Sequence, residues 1–327
     1  PYSRKARFVL LFSGAEKWKK PLQAEMSSLG RTVYSSSLKL SEDGARRLIE
    51  LAYSMNDWWT PSYIDKICQE KVPDGNFPTS AFLLVYEPIT DVEDVRGQKL
   101  ELRSKLEALG MDGRRLHGSD TWLDTAPVLD MLLSNGGRFF LNTVPYGAER
   151  GLIGRLNKER SAAGEEPRDL TIAGSAVLEL HGLRKARDID YFSLKPSPMK
   201  NEFDWGDRNP DYPQVDIWRS CNNEASFFYR GFHFQSLPEY VRLQNYRVLT
   251  PKGQRDFRLA SAMLSSRTDS RSPLSEALYI FLRRVAYASK IYFFRIYGFL
   301  GRNTPKWLRE LIKSALGRGT KAINKRG

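Results

Sequence analysis

The stretch LTIAGSAVLELHGLRKARDIDYFSL, Leu170 to Leu194, decides how this chain is read. It opens on a short apolar run suited to a buried strand, which ends at the turn Gly174-Ser175. AVLELHGL follows as a short helix whose N-terminus points back at that turn. Arg184, Lys185 and Arg187 then lead into Asp188-Ile189-Asp190-Tyr191-Phe192, where strand alternation puts Asp188 and Asp190 on one face. Two carboxylates ~7 Å apart, twice the strand rise, can converge on a divalent ion. Backbone N–H groups and a hydroxyl at Gly174-Ser175 can hold phosphate oxygens, while the acids hold Mg2+ (or Mn2+) against the same phosphates. Phosphoryl or nucleotidyl transfer asks for little beyond such positioning and charge neutralisation. The alternative is an ordinary strand edge that happens to carry acids.

Gly174-Ser175, twelve intervening residues and Asp188-Ile189-Asp190-Tyr191 resemble the signature of the nucleotidyltransferase-fold superfamily, the fold of polymerase beta. The resemblance spans about Leu170 to Leu264, under a third of the chain. It implies that Gly174 and Ser175 grip a triphosphate, that Asp188 and Asp190 bind the metal, and that a third carboxylate on a neighbouring strand completes the catalytic set. Asp216 in QVDIW, with strand-like apolar flanks, is the first choice for that third acid; Glu224 and Asp256 are the alternatives. Downstream, ASFFYRGFHFQS reads as one strand to Ser236, then a helix, a loop and a further helix around Asp256, as in minimal members of that superfamily. Arg184, Lys185 and Arg187 are either phosphate-neutralising or a solvated basic loop. His181 reads as a packed residue of the short helix, and Asn201, Glu202, Asp204 and Asp207 lie in a polar loop that either approaches an acceptor or is simply solvated.

Upstream, strand and helix patterns alternate, which argues for an α/β module over about residues 1 to 145. RFVLLF, TVYSSS and TSAFLLVYEPI read as strands; EKWKKPLQAEMSSLG, SEDGARRLIELAYSM and DVEDVRGQKLELRSKLEALG read as helices, with Pro21 a late start and Gly30 a stop for the first. HGSDTWLDTAPVLDMLLSNGGRFFLN reads as loop, helix and strand: Ser119 or Asp120 caps the helix, and Asn135-Gly136-Gly137 ends it. The helix start flanked by His117, Ser119 and Thr121 is either an accessory phosphate site, with Asp120 beside it, or an ordinary cap. Residues 147 to 169, polar, glycine-containing and helix-prone in the middle, read as a link. The expected organisation is therefore an α/β module (1–160), an α+β nucleotidyltransferase-like domain with a mixed sheet (161–270), and a basic helical C-terminus (271–327).

Composition narrows the function classes. A net charge of +13 is concentrated at one end: from Arg271 onward eight Arg and five Lys face only Glu276 and Glu310. The rest of the chain is nearly neutral, unlike an evenly basic nucleic-acid binder. Residues 274 to 312 pattern as basic amphipathic helices rich in Phe and Tyr, too often interrupted by charge to span a bilayer. They suit an anionic membrane surface, packing on the protein body, or nucleic acid. Two cysteines, Cys68 and Cys221, are too few for a disulfide framework and fit a reducing compartment. FVLLF is too short for a signal peptide, so the expected location is cytoplasmic, peripheral on the inner membrane face.

These features lead to a metal-dependent nucleotidyl or phosphoryl transferase using a nucleotide or nucleotide-sugar donor. The whole chain also looks like bacterial proteins of capsule and lipopolysaccharide assembly, with an element running from His117-x-Ser119-Asp120-Thr121 to Phe140-Leu141-Asn142, which implies a cell-surface polysaccharide or lipid-linked glycan setting. The alternatives are a toxin-like nucleotidyltransferase acting on RNA or protein, or a sugar-nucleotide-dependent glycosyltransferase or noncatalytic module, since an Asp-x-Asp pair also serves sugar-nucleotide metals.

Overall fold

Apolar runs covered on both faces set the first layer. A computed structural model of the chain describes residues 5–54, 60–89, 95–163, 170–194, 205–208, 212–222, 225–244 and 250–265. In the N-terminal part, β1 (Arg7–Phe12), β2 (Gly30–Leu40), β3 (Thr79–Pro88) and β4 (Leu116–Gly118) form a sheet of order β2-β3-β1-β4. Every pairing in it is antiparallel, so here strand and helix alternate along the chain without building a parallel sheet. Val9 and Leu11 pack beneath α1 (Ala15–Leu29) and α4 (Val95–Ala108), against Trp18, Leu22, Met26, Leu102 and Leu106. Phe8, Leu10 and Phe12 face the other way, into a core with Leu48 and Ile49 of α2 (Glu42–Tyr53). That core also takes in Ile64 and Ile67 of α3 (Ile64–Lys71) and Val128 and Leu132 of α5 (Trp122–Leu133). A strand covered on both faces has no polar side, which explains its unbroken apolar run.

Two local expectations change here. Pro21 lies inside α1 rather than at its start, while Gly30 does stop that helix, as its C-cap, and opens β2 directly. The segment after Ser134 is a helix, α6 (Asn135–Thr143), and not a strand. Ser134 caps it by accepting from Gly137 N, and the glycine pair serves close packing instead of ending α5. A Cβ on Gly136 would fall 2.3 Å from Ser236 Cβ, and one on Gly137 2.3 Å from the Met131 carbonyl oxygen.

The second sheet is mixed. It has the order β7-β6-β5-β9-β8, from β5 (Leu170–Ala173), β6 (Ile189–Ser193), β7 (Trp205–Asp207), β8 (Ser226–Tyr229) and β9 (Phe232–Gln235). β5 runs antiparallel to β6 and parallel to β9; β6 and β7 are parallel; β8 and β9 are antiparallel. The single strand expected to reach Ser236 is thus a hairpin. Arg230 (φ 50°) and Gly231 (φ 89°) both take positive φ between the paired Tyr229 and Phe232, the backbone that a two-residue hairpin turn needs. Around this sheet lie α8 (Ser175–Leu180), α9 (Gln214–Ser220), α10 (Leu237–Gln244) and α11 (Pro251–Ser265).

The two sheets share one core. The middle of the expected link is α7 (Arg150–Ala163), whose Leu152, Ile153 and Leu156 are buried in it. The same core continues from the first sheet through Phe140 and Leu141 to Ile172, Tyr191 and Phe227 of the second. Phe140 stacks on Phe227 with ring centroids 5.2 Å apart and meets Tyr229 edge-on at 5.0 Å. Among the described residues no helix is long and apolar enough to cross a membrane. The basic stretch 274–312 lies outside the described residues.

Candidate functional site

β5 ends at Ala173, which pairs with Asp190 on β6, and this register brings the acid beside the Gly-Ser turn. Gly174 takes φ 63°, ψ −139°, a backbone open in practice only to glycine, and so turns the chain directly into α8. A Cβ at Gly174 would fall 2.3 Å from Asp190 Oδ2, and one at Gly206 on β7 3.4 Å from Asp190 Oδ1. Glycines on two sides therefore let this carboxylate pack close against the backbone. Asp188, just before β6, is half-buried and lies across the turn, with Ser175 Oγ 3.4 Å from both its Oδ1 and its carbonyl oxygen. Gly174, Ser175, Asp188 and Asp190 thus lie together at one corner.

Neighbouring charges fix this corner. Arg208, directly after β7, donates from Nε to Asp190 Oδ1 at 2.7 Å and from its backbone N to the Tyr191 carbonyl at 3.1 Å. The sequence gives no sign of this arginine's place, because only the parallel pairing of β6 with β7 carries it there. The basic loop between α8 and β6 is also held. Glu179 Oε2 accepts from Ala186 N at 2.7 Å and from Arg155 Nη2, while Arg155 Nη1 donates to the Ala186 carbonyl at 3.1 Å. Both polar atoms of one loop peptide position are therefore gripped from α7 and α8, a clamp with no motif of its own.

The remaining expected site residues are placed as follows. Lys185 and Arg187 are exposed on the clamped loop. Arg184 instead makes a bidentate pair with Asp256 of α11, Nε to Oδ1 and Nη2 to Oδ2, each at 2.6 Å, and this raises the guanidinium pKa above its ordinary value. Two residues expected in separate roles, phosphate neutralisation and third acid, are thus each other's partners. Asp216 lies in the helix α9 and not in a strand, because Pro213 starts a helical turn there; its Oδ1 accepts from Arg242 of α10 at 2.9 Å. Glu224, Asn201, Glu202 and Asp204 lie outside the described residues, and of Asp207 only the backbone, in β7, is described. His181 is packed, 2% exposed, between Phe139 and Phe140, and burial, aided by the charge of Arg47, pushes it down to about 3.

No protein-family model, curated protein or solved structure matches this chain.

At the expected accessory site the cap differs. Thr121, and neither Ser119 nor Asp120, caps α5, in a reciprocal box with Asp124. Ser119 Oγ accepts from Phe8 N at 3.0 Å and from Thr125 Oγ1 at 2.8 Å, and Asp120 is paired with Lys99. The cap of α5 is therefore made within the chain, and the same residues, Ser119, Asp120, Thr121 and Asp124, line one cavity together with His117.

For a metal, the donors at the Gly174 corner are two carboxylates and a hydroxyl, all hard oxygens, which fit Mg2+ or Mn2+ rather than a softer ion. Among the described residues no group of three or more His, Cys, Asp or Glu comes together.

Proposed function

We propose that the chain is a metal-dependent transferase of nucleotidyl or phosphoryl groups, with its phosphate-handling corner at Gly174, Ser175, Asp188 and Asp190. The observation that carries this reading is the convergence of both carboxylates on the Gly-Ser turn, with glycines on two sides of Asp190. The mixed sheet, in which a strand, a Gly-Ser turn, a short helix and an acid-bearing antiparallel strand follow one another, supports a nucleotidyltransferase-like arrangement.

In this reading Asp188 and Asp190 would hold Mg2+, whose chemistry would be charge neutralisation at the donor phosphates. Ser175 Oγ and the start of α8 orient phosphate oxygens. Lys185 and Arg187, on a loop fixed by Glu179 and Arg155, add positive charge from the solvent side. Arg208 holds Asp190 in place through its Nε. The donor is a nucleotide or nucleotide-sugar, and the acceptor belongs to cell-surface polysaccharide or lipid-linked glycan assembly. That last part rests on the basic, aromatic sequence of 274–312, suited to an anionic membrane surface.

The test is turnover of a panel of nucleoside triphosphates and nucleotide-sugars with Mg2+, comparing the parent with Asp188→Asn and Asp190→Asn. Each variant is expected to lose turnover by at least about 100-fold, the scale at which positioned charge matters, while its melting temperature stays near that of the parent. Full activity in both variants would rule the corner out as the reaction site.

A further inference from the structure

A second cavity, of about 660 Å3, opens in the N-terminal part and shares no lining residue with the Gly174 corner. One wall is a face of α4: Arg96, Lys99 and Arg103, spaced three and four residues apart, all line it. The rest of the lining brings His117 from β4 and Tyr53 from α2, whose rings lie 4.4 Å apart, and, at the start of α5, Thr121 with the carboxylates Asp120 and Asp124, the latter held in the helix cap. Lys99 is partly neutralised, since it pairs with Asp120. Arg103 spends Nη2 on the Leu116 carbonyl at 3.2 Å, and its buried Nε has no partner. Arg96 is exposed and forms no ion pair among the described residues.

His117 gives the cavity its second requirement. The side chain is 92% buried, as only 8% of it is exposed, and Nε2 has no hydrogen-bond partner. Burial, with the charges of Lys71, Lys99 and Arg103, holds the ring neutral, and it bonds the backbone of Ala52. With the ring proton on the nitrogen that faces that carbonyl, Nε2 is an acceptor waiting for a donor.

A ligand matching these walls carries negative oxygens for the α4 cations and an O–H for His117. A monoprotonated phosphoryl group offers both; a sulfate offers only the first. We infer that this cavity binds a phosphoryl-bearing small molecule, its phosphoryl group lodged between Arg96, Lys99, Arg103 and His117. The volume lies within the roughly 300–1,000 Å3 of small-molecule sites and leaves room beside Tyr53 for the organic part. The site is independent of the metal corner and needs no metal.

Calorimetric titration of the full chain in EDTA, with inorganic phosphate and with sulfate as probes, tests it. Phosphate is expected to bind, with sulfate at least tenfold weaker. The pair Arg96→Gln and Lys99→Gln should weaken phosphate at least tenfold. Arg96→Gln alone, which alters only an exposed side chain, should weaken it severalfold without changing the melting temperature. His117→Phe, which keeps the ring packing, should abolish the preference for phosphate over sulfate. Asp188→Asn with Asp190→Asn should leave phosphate binding unchanged, whatever it does to turnover. Failure of phosphate to bind, indifference to the Arg96 and Lys99 changes, or equal affinity for sulfate would each overturn the assignment. So would loss of phosphate binding in the Asp188 and Asp190 variants.

Discussion

Gly174 and His181 lie seven residues apart on the same strand-turn-helix unit and are constrained in opposite ways. Gly174 answers to backbone geometry, and the Gly-Ser spacing already makes its place legible. His181 answers to a surrounding that no local pattern announces: both its ring nitrogens are buried without a hydrogen-bond partner, against Phe139 and Phe140 of α6. Because its folded pKa is pushed down to about 3, the unfolded chain takes up a proton at this residue below pH ~6.5 while the folded chain does not. This contribution to stability is intact above that pH and is lost progressively as the pH falls towards about 3. His181→Phe should remove it, so the stability of the parent relative to the variant should drop by ~1.4 kcal/mol per pH unit across the window. Urea unfolding of both at pH 7, 6 and 5 reads the effect. A difference that stays constant with pH would refute it.

At the scale of elements, the loop between α8 and β6 shows how a flexible-looking basic segment becomes a fixed one. Arg184, Lys185 and Arg187 are prominent in the sequence, yet the residues that hold the loop are Glu179 and Arg155, which carry no motif. Glu179→Ala leaves Ala186 N unpaired and the Arg155 guanidinium half-buried without its acid, at a cost of about 1–3 kcal/mol. The expected signature is local: the Ala186 amide should lose its protection from hydrogen exchange, while the amides of β1 and β3 keep theirs. Unchanged protection at Ala186 would mean that the clamp does not hold the loop. The same scale explains the error at α6. Phe139, Phe140 and Leu141 beside two glycines read as a strand leaving a turn, but the glycines are there to let Ser236 and Met131 approach.

Across the whole molecule, a buried ionic network ties the N-terminal helices to the second sheet. Arg47 of α2, 0% exposed, donates to the carbonyls of Leu141, Val144 and Pro145 at 3.0–3.1 Å and to Glu149 Oε2 at 3.3 Å. Glu149 also accepts from Tyr229 of β8 at 2.8 Å, and Arg230 of the hairpin turn reaches back to Glu50 of α2. With one apolar core running through both sheets as well, residues 5–265 are expected to unfold in a single calorimetric transition. Arg47→Met should lower that transition without splitting it, costing about 3–5 kcal/mol because Glu149 stays buried and unpaired. Two resolved transitions, or a loss below about 1 kcal/mol, would show that the network does not couple the halves.

The sequence by itself determined what depends on neighbours along the chain. Unbroken apolar runs marked β1 and β3, and the Gly-Ser and Asp-x-Asp spacing marked the corner at Gly174, since one turn and one antiparallel return fix the relation of its parts. Only the tertiary structure decided what depends on contacts distant in sequence. It paired Arg184 with Asp256, 72 residues away, put Arg208 on Asp190 through a parallel strand, and placed Asp216 in a helix beside Arg242. It also buried one face of the helix α7 within the link and gathered Arg96, Lys99, Arg103 and His117 around one cavity. The physical reason is common to all of these: a charged side chain is defined by its partner, and burial and strand pairing choose that partner by proximity in space, which local pattern does not encode.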